Sequence, residues 1–199
     1  MSDHEPKTDD RVFIVSQQVI RVEDPFADGD LILDLGGGGE GVIGLLRGRQ
    51  VVAVDRRANE LEESALGPIK LIGDARELPF LDGAFDAVTS FCFLMYVPAE
   101  DRPAVLAEAH RVLKPGGNFH VWGVRIPPKE QQPQKVYCVM IKAVLPDREI
   151  ETGYGVPWAG REMTAASIGA LAREAGFELV DKEEAAETFR LTLRRPEVG

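Results

Sequence analysis

The chain has 199 residues, of which 44% are hydrophobic, and its formal net charge is −10 at pH 7. This length and hydrophobic content support one packed α/β domain and leave little room for a second. The negative charge argues against a nucleic-acid binder, which normally presents a basic face, and favours a small molecule or a protein as the partner.

Residues 1–10, MSDHEPKTDD, predict a disordered polar lead-in without the apolar segment of a secretory signal. No apolar run in the chain approaches the length that spans a membrane, so we predict a cytoplasmic protein without membrane association. The next stretch, 11–22, is rich in β-branched residues and fits either an outer strand or a short helix. Two roles stay open for it: it covers a binding site, or it pairs with a second copy in a homodimer.

The stretch LILDLGGGGEG at 31–41 is the most informative part of the sequence. Apolar residues followed by Asp34 and a run of glycines predict a buried strand that stops in a tight turn, and the apolar spacing after Gly41 predicts a helix. Glycines let the backbone approach a ligand closely, and a helix N-terminus points free N–H groups at it. Because Asp34 would repel a phosphate and attract a cation, the turn favours a cationic ligand over a pyrophosphate.

Strands and helices alternate after this turn. Residues 51–54 predict a second buried strand that ends at Asp55, roughly 20 residues after Gly36, the spacing at which an acid meets ribose hydroxyls in Rossmann-like sites. Asp55 can also cap the helix predicted over 58–66, and the two roles are compatible. A third strand ends at Asp74, which therefore falls where open α/β sheets bind ligands.

A fourth strand is predicted from 86 to about 90, a helix from 103 to 113 that is ended by KPGG, and a fifth strand over 118–124. From Arg125 the pattern changes to a Pro-rich loop followed by one or two strands of an antiparallel excursion. We treat about 125–160 as an insertion that shapes specificity.

The remaining segments close the predicted domain. Thr164 caps a further helix, and the stretches FELVDKEE and ETFRLTLRR predict a final pair of strands. Residues 11–199 thus predict a single α/β domain with a Rossmann-like, doubly wound, mostly parallel seven-stranded sheet, helices on both faces and an antiparallel final strand. Arg190, Arg194 and Arg195 form a basic cluster that we interpret as a solvated face.

Four segments in this order resemble the class I S-adenosylmethionine-dependent methyltransferases, in particular small single-domain members similar to methyltransferase type 11. They are LILDLGGGGEG, VVAVD, GDARELPFLDGAFDAVTS and LAEAHRVLKPGGNFHVWG, within residues 31–124, and AREAGFELV near the end is also typical of the family. The resemblance implies S-adenosyl-L-methionine as the cofactor and in-line transfer of its methyl group to a small-molecule acceptor, which leaves S-adenosylhomocysteine.

The resemblance also implies a set of cofactor-binding residues at the carboxyl ends of the strands. The turn at 36–41, named the glycine loop, would surround the methionine moiety, and one acid would accept both ribose hydroxyls. A second acid and the next backbone N–H would bind the adenine, and the end of the fourth strand would line the methyl end. In that order the residues are Asp34, Gly36, Gly37 and Gly38; Asp55 and Arg56; Asp74 and Ala75; and Ser90 and Phe91. The family pattern has glycine where this chain has Glu40, which either contacts the ligand or faces solvent.

The sequence does not identify a catalytic group. His120 is a candidate because histidine is the commonest general base, whereas Tyr96 and Tyr154, whose neighbours predict loops, are candidates to stabilise a sulfonium by cation–π attraction. His110 is interpreted as a solvated residue of its helix. No His, Asp or Glu cluster has metal-ligand spacing, so no metal is expected.

Two other functions remain open at this point. A nicotinamide-dependent oxidoreductase would share the glycines and Asp55 but would leave Asp74 and KPGG unexplained. A non-catalytic cofactor-binding or regulatory module would keep the fold without turnover.

Overall fold

The computed structural model describes residues 10–197, and ten strands organise them into two sheets. The strands are β1 (Val12–Arg21), β2 (Ile32–Leu35), β3 (Val51–Asp55), β4 (Ile69–Ile72), β5 (Phe85–Phe91), β6 (Leu113–Val124), β7 (Val136–Val144), β8 (Glu149–Pro157), β9 (Glu178–Ala185) and β10 (Thr188–Arg194). The helices are α1 (Val42–Arg47), α2 (Ala58–Glu63), α3 (Arg102–Val112) and α4 (Ala165–Glu174). The predicted lead-in lies outside the described residues except for Asp10.

The larger sheet has the strand order β4-β3-β2-β5-β6-β10-β9. Its first five strands are parallel, and β10 runs antiparallel to both of its neighbours. α1 and α2 pack on β3, whereas α3 and α4 contact each other and pack on the other half of the sheet. The Rossmann-like, doubly wound α/β fold with an antiparallel final strand is therefore confirmed.

The order of the strands creates a crevice at β2. The chain continues from β2 to β3 on one side, whereas β5 lies on the other side. The loops after β2 and β5 therefore diverge, and a ligand can bind between them at the carboxyl ends of the strands. Ile32, Leu33 and Leu35 of β2 are fully buried, as expected for a central strand covered on both faces.

The end of α3 differs from the predicted one. The helix stops at Val112, and Leu113 already begins β6, so that KPGG belongs to a strand. The Arg195 guanidinium donates to the backbone carbonyls of His110, Arg111 and Leu113. These carbonyls include groups that the end of a helix leaves unpaired, so Arg195 stabilises the helix C-terminus from a distant part of the chain.

The interpretation of the arginine cluster near the C-terminus as a solvated face holds for Arg194, which is exposed, but it was wrong for Arg190 and Arg195. Besides the contacts of Arg195, the Arg190 guanidinium forms ion pairs with Glu23, Asp181 and Glu183. Two of these partners lie on the neighbouring strand β9, and the third precedes β2. Arg190 therefore contacts acidic side chains of the same chain, and Arg195 contacts backbone carbonyls of the same chain.

Two helix boundaries can be compared with their predictions, the start of α4 and the end of α2. Thr164 and Ser167 form the capping box that starts α4, which confirms the predicted cap. α2 is shorter than the predicted range 58–66, because the chain turns extended at Ser64 after the helix ends at Glu63.

A second sheet of three strands, named the accessory sheet, has the order β1-β7-β8. Of the two structures predicted for residues 11–22, a strand or a short helix, the strand is the one observed. This strand, β1, pairs in parallel with β7 of the same chain. The pair β7 and β8 is the predicted antiparallel excursion. Buried residues of β7 such as Tyr137, Val139 and Ile141 belong to the same hydrophobic core as the large sheet.

Candidate active site

A cavity of about 490 Å³ lies at the carboxyl ends of β2, β3 and β5. The glycine loop, the turns after β3 and β4, the turn after β5 and one side chain of β8 form its walls. Nine of the ten residues expected to bind the cofactor line this cavity; they are Asp34, Gly36, Gly37, Gly38, Asp55, Arg56, Asp74, Ala75 and Phe91. The fold thus brings together residues that are up to 57 positions apart in the sequence.

Ser90 is the exception. Its side chain is fully buried, and its hydroxyl has no hydrogen-bond partner among the described residues. Because side chains alternate along a strand, Phe91 faces the cavity and Ser90 points to the other face of β5. The expectation that Ser90 lines the methyl end therefore does not agree with its position.

The glycine loop is too crowded for side chains. A Cβ at Gly37 would lie 2.8 Å from the Cβ of Ala53, and a Cβ at Gly38 would lie 2.6 Å from the Cβ of Glu60. Gly36 has a positive φ of 72°, a conformation that favours glycine. The run of glycines is thus required by close packing and backbone conformation, and it leaves bare backbone on the cavity wall.

Asp34 is the buried acid of the site. It is 3% exposed, and its Oδ1 accepts a hydrogen bond of 2.7 Å from the hydroxyl of Thr89, the residue opposite it on β5. Burial raises the pKa of Asp34 to about 7, and the nearby charge of Asp55 acts in the same direction. A cation placed at this end of the cavity would favour the charged carboxylate.

We expect the stability of the ligand-free protein to fall as the pH rises from about 4 to about 7. The folded state holds the Asp34 proton up to a higher pH than the unfolded state, whose pKa is near 3.8. Ionisation of the buried Asp34 therefore costs no folding stability below both pKa values. The loss of stability grows between them and reaches about 4 kcal/mol above pH 7.

Urea unfolding at a series of pH values measures this dependence. Asp34→Asn keeps the shape and the acceptor for Thr89 but cannot ionise, so its stability should change less than that of the parent over the same interval. Equal pH dependence in both proteins would contradict the raised pKa.

Two further acids lie at the ends of adjacent strands. Asp55 Oδ1 accepts the backbone N–H of Arg57 at 2.9 Å, and Oδ2 lies beside Gly38 in the cavity. The expected capping role was wrong, because Arg57 is the N-cap of α2 and no side chain caps this helix. Asp74 is held by the Arg76 guanidinium through both oxygens, at 2.7 to 3.2 Å. These contacts lower the pKa of Asp74 to about 2. Asp55 therefore has more free acceptor capacity than Asp74.

Carboxylates outnumber cations around the cavity. Six acidic side chains and three arginines line it, and they are Asp34, Glu40, Asp55, Glu60, Asp74 and Asp101, with Arg56, Arg57 and Arg76. A ligand with a positive charge is therefore favoured over an anion. Sequence reasoning missed Arg76 and Asp101, which are joined by an ion pair of 3.0 Å; the spacing of Arg76 two residues after Asp74 was the available signal.

The two tyrosine candidates both line the cavity, with ring centroids 6.3 Å apart in an edge-to-face arrangement. Tyr96 lies in a turn as predicted, but Tyr154 lies on β8, so the loop expected around it was wrong. Burial raises the pKa of Tyr96 to about 12 and raises that of Tyr154 further. Both phenols are therefore neutral at pH 7 and are poor general bases.

His120 lies away from the cavity. It is 7% exposed on β6, where its ring packs edge-on against Phe26 and near Trp122, and burial lowers its pKa to about 4. It is a core residue. His110 is not simply solvated either, because its ring is half-buried edge-on against Phe177.

Comparison with known proteins agrees with this geometry. Residues 33–121 match the family model described as a methyltransferase domain. The chain is 34% identical over 148 residues to the ubiquinone/menaquinone biosynthesis C-methyltransferase UbiE of Desulfotalea psychrophila, an alignment that covers 71% of this chain and 54% of that protein. It is 49% identical over 59 residues to the demethylmenaquinone methyltransferase of Geobacillus kaustophilus, over 29% of this chain and 24% of that protein.

A solved structure is similar over most of its length. The S-adenosylmethionine-dependent methyltransferase of Methanosarcina mazei superposes with a TM-score of 0.65 at 17% identity, covering 87% of this chain and 95% of that one. This likeness concerns the fold. The chain spans about half the length, or less, of the curated relatives described above. The family match and the sequence relatives identify residues 33–121 as a methyltransferase domain, and the chain has the fold of the class I S-adenosylmethionine-dependent methyltransferases.

Proposed function

We propose that this protein transfers the methyl group of S-adenosyl-L-methionine to a small-molecule acceptor by in-line displacement. The observation that carries the proposal is the cavity itself, in which Asp34 and Asp55 stand at the ends of adjacent strands around a glycine loop of bare backbone. When bound, the cofactor supplies a methyl group activated by a sulfonium. The chain has to bind and align the two reactants, which needs no covalent intermediate.

The residues offer a partner for each part of this cofactor. Asp34 suits the amino group of the methionine moiety, and the free oxygen of Asp55 faces the cavity where ribose hydroxyls can donate to it. Asp74 already accepts from Arg76, so we assign the adenine end mainly to the Ala75 backbone, with Asp74 and Arg76 as a polar wall. Arg56, 3.7 Å from Asp74, lies beside the ribose end.

The acceptor that we favour is an aromatic ring, such as a quinol. Aromatic side chains that line the cavity near the end of β5 support it; they are Phe91, Phe93, Tyr96 and Tyr154. Such faces stack on a planar ring and can stabilise a sulfonium. One relative is named a ubiquinone/menaquinone biosynthesis C-methyltransferase and another a demethylmenaquinone methyltransferase, which agrees with this chemistry.

We further propose that residues 125–160 contribute to acceptor choice, since Tyr154 of β8 lines the cavity and Thr152 of the same strand is bonded to Glu40. In the part of the chain that the structure describes, no helix is long and apolar enough to cross a membrane.

Calorimetric titration with S-adenosylmethionine, S-adenosylhomocysteine and NADH tests the cofactor. We expect the first two to bind and NADH not to bind, because the acids around the glycine loop repel a pyrophosphate. Binding of NADH alone would support an oxidoreductase instead. Binding of S-adenosylmethionine without transfer of its labelled methyl group to quinol or to a cell-extract acceptor pool would support a regulatory module.

A further inference from the structure

Glu40 connects two parts of the protein that are far apart in sequence. It lies in the glycine loop between Gly39 and Gly41, which both have positive φ, 59° and 55°. One of its carboxylate oxygens accepts a hydrogen bond from the hydroxyl of Thr152, and the other accepts one of 3.1 Å from the hydroxyl of Tyr154. Thr152 and Tyr154 are 112 and 114 positions away, on β8. The cofactor loop is thus bound directly to the accessory sheet.

β8 needs such a contact to form a defined wall. It is the edge strand of the accessory sheet and pairs with β7 alone among the described strands. Besides the two bonds to Glu40, the edge-to-face contact between the Tyr154 and Tyr96 rings joins β8 to the turn after β5. The strand is therefore held against the cavity at the glycine loop and at this turn.

The bonds to Glu40 are of the stronger kind. A carboxylate that accepts from two hydroxyl groups makes charge-assisted hydrogen bonds, which are stronger than bonds between neutral groups of the same geometry. Glycine, which the family pattern has at this position, offers no side-chain acceptor. Glu40, the residue that departs from the family pattern, therefore has hydrogen-bond partners on β8.

We propose that Glu40 is a positioning residue that holds β8, and with it the Tyr154 ring, as a wall of the cofactor and acceptor cavity. The proposal rests on the function proposed above and adds how the accessory sheet is joined to the cofactor loop. Glu40 acts through the hydroxyls of Thr152 and Tyr154, and it orients Tyr154 as a neutral hydrogen-bond donor. The phenol directs its proton to Glu40, so the ring offers an aromatic face to the cavity.

A different role for Glu40 would be direct attraction of the cofactor's positive charge, and ligand charge separates the two roles. S-adenosylmethionine carries the sulfonium, whereas S-adenosylhomocysteine carries a neutral thioether. A positioning role changes the affinity of both ligands by the same factor. Direct attraction changes the affinity of the sulfonium compound much more.

The experiment measures both dissociation constants by calorimetry for the parent, Glu40→Gln, Glu40→Ala and the double variant Thr152→Val with Tyr154→Phe. We expect Glu40→Ala and the double variant to weaken both ligands on the order of tenfold. The ratio of the two constants should stay within about twofold of the parent value, and combining the substitutions should add little, as for groups that act together. A change in that ratio on Glu40→Gln, with unchanged affinities in the double variant, would overturn the proposal.

Amide hydrogen exchange of residues 149–157 in the ligand-free protein gives a second readout, independent of the proposed function. Exchange should be faster in Glu40→Ala than in the parent. Glu60→Gln is the matched control, because it removes a carboxylate from the same cavity and should leave exchange of β8 unchanged. If the parent binds neither ligand, the proposed function fails while this comparison still decides the role of Glu40; equal exchange in Glu40→Ala and the parent would refute it.

Discussion

Replacement of Asp55 by alanine is expected to weaken S-adenosylmethionine on the order of 100-fold. The carboxylate stands at the end of β3 with one oxygen bonded to the Arg57 backbone and the other beside Gly38 in the cavity. A charged acceptor that binds two ribose hydroxyls contributes about 1.5–3 kcal/mol for each hydrogen bond, so its loss corresponds to this factor or more. Calorimetric titration gives the dissociation constant directly.

Two variants make this result specific. Asp55→Asn retains an acceptor for the Arg57 N–H and should lose less affinity than the alanine variant. Asp147→Ala makes the same change at an exposed site, where Asp147 pairs with the adjacent Arg148, and should bind as the parent does. An Asp55→Ala protein that binds with parental affinity would remove Asp55 from the cofactor site.

The second large effect concerns stability and is expected for Arg102→Met. Arg102 is 2% exposed, and its guanidinium donates to four backbone carbonyls at 2.7 to 3.3 Å, those of Leu94, Val97, Arg161 and Glu162. Burial lowers its pKa to about 10, so the group is still charged at pH 7. Methionine would fill much of the volume but would leave these buried carbonyls without donors, at a cost of about 3 kcal/mol or more.

Urea unfolding monitored by circular dichroism measures the free energy of unfolding of this variant. Arg148→Met, on an exposed arginine with an ion pair to its sequence neighbour, should leave the free energy of unfolding nearly unchanged. Arg102→Lys keeps the charge with fewer donors and should fall between the parent and Arg102→Met. A loss below about 1 kcal/mol for Arg102→Met would mean that the carbonyls find other donors.

Most of the fold could be predicted because the relevant signals are local. Apolar runs at 31–35 and 51–54 predict buried strands, and Thr164, a favoured N-cap residue, predicts where α4 begins. The acids at the ends of these strands could be assigned to one site as well, because parallel strands in a doubly wound sheet end on the same side. Asp34, Asp55 and Asp74 indeed line one cavity.

The residues whose positions were predicted wrongly depend on tertiary contacts, which local sequence patterns do not indicate. Ser90 and Phe91 differ only in which face of β5 they occupy, and His120 looked available although Phe26 and Trp122 surround it. Tyr154 was a candidate because its neighbours were expected to form a loop, yet pairing with β7 makes that segment a strand. Tertiary packing overrode the local preference in each case.

By itself the sequence determined the alternation of strands and helices, the glycine loop and the acids that follow the strands, since each is encoded within a few residues by hydrophobic period, backbone freedom or capping. Only the tertiary structure decided that Glu40 meets β8, that Arg102 binds the distant carbonyls of Arg161 and Glu162, and that Asp34 is buried enough to titrate near neutrality. Hydrogen bonds between remote segments and the loss of water around a charge depend on how the whole chain packs. They arise only when the elements come together.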